Sequence, residues 1–151
     1  MGFRAPELAD FPQLPNDAIS ASSYKNLTYP LGCSSSELAY TLDESEFLLF
    51  GKDKSTLAFF RIKSVFSGLC YFDFYILNNN GVEAEMSALM KFLRKRLRVG
   101  KFYAMLLPNE EVELSCLQNL DFSMEVRMRE HVYLNAKYND LLLLGSPDSR
   151  R

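Results

Sequence analysis

Between Leu69 and Leu77 the chain reads LCYFDFYIL, an almost unbroken apolar run in which Asp73 is the single charge. A segment apolar on both faces and rich in aromatic residues is a strand covered on both sides, so it belongs in the middle of a sheet. Asn78-Asn79-Asn80-Gly81 ends it, and such a cluster of turn formers leaves room for a helix to begin near Val82. From there Met86, Leu89, Met90, Leu93 and Leu97 recur at helical spacing, while Lys91, Arg94, Lys95 and Arg98 fall on the opposite side. Gly100 is placed to end this helix. KFYAMLLP then reads as another strand, which makes a crossover whose default form is parallel and right-handed.

Other elements group around this unit. EFLLFGKDK and STLAFFRIKSVF are strand-like and are separated by the polar stretch 51–54, a hairpin signal. Glu110–Leu120 reads as a second helix with Val112, Leu117 and Leu120 inward. MEVRMREHVYL, a tight turn at NAK, and YNDLLLLG form a closing hairpin, and the apolar LLLL suggests an edge able to pair with a second copy of the chain. The first thirty residues are broken by Pro6, Pro12, Pro15 and Pro30, leaving space for short helical pieces such as Pro6–Leu14. A further capped helix is expected after Ser34-Ser35-Ser36-Glu37. The expected organisation is one domain over residues 1–145, followed by a loose tail over 146–151.

Composition removes several classes of function. At 151 residues, with 48% hydrophobic and 24% charged residues, the chain is long and apolar enough for a packed core. A net charge of −2 supplies no field to draw in nucleic acid. No run approaches the ~20 apolar residues of a membrane span, and the start lacks the pattern of a signal peptide. Cys33, Cys70 and Cys116 are odd in number and widely spaced, which points to neither a disulfide framework nor a metal site, and fits a reducing cytoplasm.

The C-terminal half carries a resemblance. Asn109 after the strand, the turn Leu120-Asp121-Phe122, and Arg129-Glu130-His131-Val132-Tyr133 through Tyr138 and Asp140 are similar to the corresponding features of GNAT N-acetyltransferases. The opening FRAPELADFPQL also resembles that of the subgroup related to ribosomal-protein and polyamine acetyltransferases. The resemblance implies an α/β (α+β) fold: a mixed, mostly antiparallel sheet of six to seven strands with a central splay, flanked by about four helices. It implies acetyl-CoA or another acyl-CoA as the acyl donor and a small-molecule or protein amine as acceptor. Amides at the splayed end of the strand, at Leu77, would pair with the carrier, whose pyrophosphate would rest on the turn Asn78, Asn79, Asn80, Gly81 and Val82. Asn109 would bond the pantetheine arm or cap the helix that follows it.

In the family this turn is Q/R-x-x-G-x-G/A, and here only Gly81 is kept. Glu83 stands where the family has a small residue. A carboxylate ~5 Å from a phosphate at an effective dielectric of ~20 costs on the order of 3 kcal/mol, although an acid in the first helical turn also gains from the helix dipole. No Lys or Arg lies between Lys63 and Lys91 to offset it. The turn at Asp121 and the hairpin at Asn135-Ala136 likewise lack the family's glycines, and Ala in a left-handed conformation costs about 1 kcal/mol.

The resemblance implies a Glu or Asp on the fourth strand as base, and Asp73 is the carboxylate that would take a proton from an amine there; its aromatic neighbours Phe72 and Phe74 would raise its pKa by desolvation. A hydrogen-bonded structural Asp is the simpler alternative. The acid that many family members carry as Tyr in the short helix falls here at Leu117, or at Cys116 after a one-residue slip. His131 reads as a cross-strand packing residue and Cys116 as core. Two functions stay open: an acyl-CoA-dependent N-acyltransferase, and a catalytically silent module that keeps the fold to bind a partner.

Overall fold

The computed structural model describes residues 2–4 and 46–149. Seven strands form one sheet in the order β1-β2-β3-β4-β5-β7-β6. They are β1 (Phe3–Arg4), β2 (Glu46–Phe50), β3 (Thr56–Phe66), β4 (Leu69–Ile76), β5 (Lys101–Leu106), β6 (Ser123–Leu134) and β7 (Lys137–Gly145). Among the described residues there are two helices, α1 (Val82–Leu97) and α2 (Glu111–Asn119). The helical pieces expected at 6–14 and after Ser36 lie outside the described residues. Strand β1, in a stretch expected to be irregular, pairs Phe3 with Leu49 and Arg4 with Leu48.

β4 takes the central place its apolar run demands. It pairs antiparallel with β3 on one side and parallel with β5 on the other, the one parallel contact in an otherwise antiparallel sheet. Alternation sends Phe72, Phe74 and Ile76 to the face under α1, where they are buried with Met86, Leu89 and Leu93. The aromatic payload is concentrated there. Phe60 stacks on Phe72 with centroids 4.7 Å apart, and Phe102 and Phe122 meet Phe72 edge-on.

Several details depart from the sequence expectation. Leu97 is exposed at the end of α1, and the helix stops at Arg98, whose φ of 54° puts the backbone in the left-handed region, rather than at Gly100. Arg94 lies half-buried over the Phe102 ring instead of facing away. In α2 the inward stripe is Glu113, Cys116 and Leu117, so Val112 is exposed and Leu120 half-buried. The phase of this short helix is set by Cys116 and Leu117, and positions three and four residues before them share their face.

LLLL is not an edge. β7 lies between β5 and β6, which is why it is apolar on both faces, and β6 forms the border of the sheet. His131 is exposed inside an irregularity of β6 between Met128 and Val132, not packed across a strand. Asn135 and Ala136 turn the hairpin at φ 51° and 61°. Past Gly145 the chain stays bonded to β5's end: Ser146 N–H donates to the Phe102 carbonyl and Ser149 N–H to the Gly100 carbonyl.

Candidate functional site

The β4–β5 ladder stops at Phe72–Ala104. Beyond it Asp73 to Ile76 continue along β3, while Met105 and Leu106 follow β7. The two parallel neighbours therefore separate toward their C-terminal ends, and the turn to α1 and the loop to α2 lie at that same end. Openings of this kind at the C-terminal ends of parallel strands are where α/β sheets place ligands.

Asp73 is the first residue past the last pair, with 8% of its surface exposed. It faces away from α1, in register with Arg61, and Lys63 Nζ approaches its carboxylate at 4.0 Å. A cavity of about 160 Å³ opens beside it, lined by Lys63, Tyr71, Asp73, Tyr103 and Met105. Tyr71 and Tyr103 stack there with centroids 5.2 Å apart. Sequence reading passed over Lys63. Its position comes from the register shift between Ile62 and Ser64, a bulge that no local motif announces.

At the rim, Leu77 and Asn78 donate their N–H groups to the Leu57 carbonyl of β3. Asn78 Oδ1 accepts the Asn80 N–H at 3.0 Å, which folds the turn on itself. Asn79 accepts the Val82 N–H through its carbonyl at 3.4 Å. Gly81 takes φ 84°, and a Cβ added there would meet nothing within 4 Å. It is glycine for its backbone angle, and the space before it is open. The start of α1 carries no side-chain cap. Beside it lies a cleft of about 490 Å³ bordered by Lys52, Ser55, Leu57, Asn80, Gly81 and Glu85.

Glu83 turns toward α2, where its carboxylate accepts the Asn119 side-chain amide at 3.3 Å. Asn109 is exposed and does not cap α2; Glu110 takes that position, and its carboxylate accepts the Leu107 N–H at 2.7 Å. Glu113, 7% exposed, reaches from α2 to accept the Ile76 N–H at 3.3 Å. Burial pushes the Cys116 thiol up to about 12, and the Glu83 and Glu113 carboxylates add to the push. Both carboxylates thus lie on one side of the opening near Cys116. The signal for Glu113 was its spacing from Cys116 and Leu117, masked by the stronger apolar character of Val112.

No family model matches this sequence, and no curated protein matches it. Solved structures do. A spermidine N-acetyltransferase from Vibrio cholerae in complex with CoA and spermine is similar over 97% of this chain and 95% of its own, with a TM-score of 0.74 and 15% identity. A ribosomal L7/L12 α-N-protein acetyltransferase in complex with coenzyme A gives a TM-score of 0.74 at 15% identity over 99% and 94%. An acetyltransferase of the GNAT family from Bacillus anthracis gives 0.75 at 11% over 99% and 95%. The strand order, the parted β4 and β5, and these whole-length similarities agree: this chain has the GNAT N-acetyltransferase fold.

Proposed function

We propose that the chain is a single-domain N-acyltransferase that moves an acyl group from acyl-CoA to an amine. The observation that carries this reading is the end of the β4–β5 ladder at Phe72–Ala104, which puts Asp73 at the root of the opening and the Asn78–Val82 turn at its rim. The residues fit such a donor at the turn: space before Gly81 is open, α1 begins without a side-chain cap, and Glu83 is held by Asn119. A helix start favours phosphate oxygens, and the acids of this first turn, Glu83 and Glu85, work against that preference. Bound acyl-CoA would supply a thioester carbonyl as electrophile. Asp73 holds the acceptor amine and takes its proton, and the aromatic walls Tyr71 and Tyr103 keep water from the reacting centre. Asn78, Asn79, Asn80, Gly81, Val82 and Asn109 are the proposed contacts to the carrier; on the strand end at Leu77 the pairing amide is that of Ile76, because the Leu77 N–H is taken by the Leu57 carbonyl of β3.

The test is thermal unfolding with acetyl-CoA, where saturation at 100 times Kd adds ~2.7 kcal/mol. A second reading, a silent binding module, is favoured by the Ile76 and Asn80 amides already having acceptors in Glu113 and Asn78. Absence of any shift with acetyl-CoA selects that reading.

A further inference from the structure

The Ile76 amide is where a carrier would meet the strand, and it is covered by the chain's own carboxylate. Leu77 N–H points to β3, where it bonds the Leu57 carbonyl. Alternation along a strand then directs the Ile76 N–H to the other side, into the opening left by β5. A strand amide without a strand partner is a place for an added peptide-like segment, because an incoming carbonyl completes the missing ladder. Glu113 Oε1 stands there instead.

We propose that Glu113 is an internal occupant of the carrier-amide position, so that an amide-bearing acyl carrier binds only as the Glu113 side chain withdraws. The inference rests on the acyl-carrier reading above. Three observations support it. Glu113 is a carboxylate on the inward stripe of α2, where Cys116 and Leu117 are buried and an apolar residue would suit the packing better. The bond it makes is 3.3 Å long, well beyond the 2.7–2.9 Å of a strong charge-assisted bond, so an incoming carbonyl can replace it. Glu83, the other carboxylate near Cys116, accepts from Asn119, and it is Glu113 that meets the Ile76 amide. The arrangement selects donors by chemistry: a carrier with an internal amide can take over the Ile76 N–H, whereas an acyl donor without one leaves that amide bonded to Glu113.

Calorimetric titration of the full chain with coenzyme A and with pantetheine, which lacks the phosphates, tests this. Glu113→Ala is expected to bind both about tenfold or more tightly than the unmodified chain, since the carrier no longer displaces a carboxylate. Glu113→Gln, which keeps an acceptor for Ile76 and guards against a folding defect, is expected to gain about threefold on the same grounds. Glu111→Ala, on the exposed side of the helix, is expected to change neither. Equal coenzyme A affinity in the unmodified chain and in folded Glu113→Gln and Glu113→Ala overturns the inference while the carrier reading stands. Absence of binding in every variant overturns both.

Discussion

The Glu83 carboxylate accepts the Asn119 side-chain amide across the gap between α1 and α2, at 3.3 Å. The acid that would crowd a phosphate at the helix start is thereby held toward the neighbouring helix. Removing the tether is expected to matter more than removing the charge. Asn119→Ala weakens coenzyme A binding by about threefold to tenfold as Glu83 is released toward the turn, and Asn119→Ala combined with Glu83→Gln restores it. Titration calorimetry on the two variants checks this; equal affinity in both would show that the tether has no electrostatic role.

Asp73 sits at the root of the opening with Lys63 4.0 Å away. Asp73→Asn is expected to lower acyl transfer by about 10²–10⁴ while leaving coenzyme A affinity within about twofold. Steady-state rates with an amine acceptor, set beside binding measured by calorimetry, separate the two effects. Loss of binding with unchanged turnover per bound donor would assign Asp73 a structural role.

Ala136 holds φ 61° in the β6–β7 turn and Asp121 holds φ 65° after α2. A side chain in this region is strained, more for Ala than for Asp. Ala136→Gly is expected to stabilise the fold by about 1 kcal/mol, or about 2–4 °C in Tm for a chain of this size. Asp121→Gly is expected to gain less. Differential scanning calorimetry reads both.

Asp140 accepts the Glu130 N–H and the Arg127 guanidinium, and these bonds hold its carboxyl below the ordinary 3.8. A depressed carboxyl stabilises the fold above its unfolded pKa, and that contribution is lost as pH falls through the folded value. The β6–β7 hairpin is therefore expected to weaken only below about pH 4, and Asp140→Asn to remove this part of the acid dependence. Acid titration followed by amide exchange in the hairpin checks the sign.

Burial pushes the Cys70 and Cys116 thiols up to about 12. In a Cys33→Ser background the folded chain is expected to resist thiol reagents at neutral pH and to react once unfolded. Stability is expected to fall as pH rises from about 9, where the unfolded thiols ionise, toward about 12. Rapid labelling of native Cys116 would contradict its place in the core.

The sheet and the long helix were legible because they rest on long patterns: the apolar run of β4, the alternation of its neighbours, and Met86, Leu89 and Leu93 at helical spacing. What escaped reading depends on a single residue's phase or on contacts distant in sequence. Val112 is more apolar than Glu113, yet the turn-by-turn phase of α2 turns Glu113 inward, 37 residues from the Ile76 amide it meets. LLLL read as an edge because its apolar character fits any covered strand, and only the pairing order shows that β6 covers it. The Asn78–Val82 turn was legible as a helix start, while the tether that turns Glu83 aside depends on Asn119 in another element.

The most direct measurement is an amide-resolved NMR titration of the full chain with acetyl-CoA. Strong, saturable shifts of the Ile76, Asn80, Gly81 and Val82 amides, with little change along β6, are the predicted result. Shifts confined to other parts of the sheet, or none at saturating acetyl-CoA, would contradict an acyl-carrier site between β4 and β5.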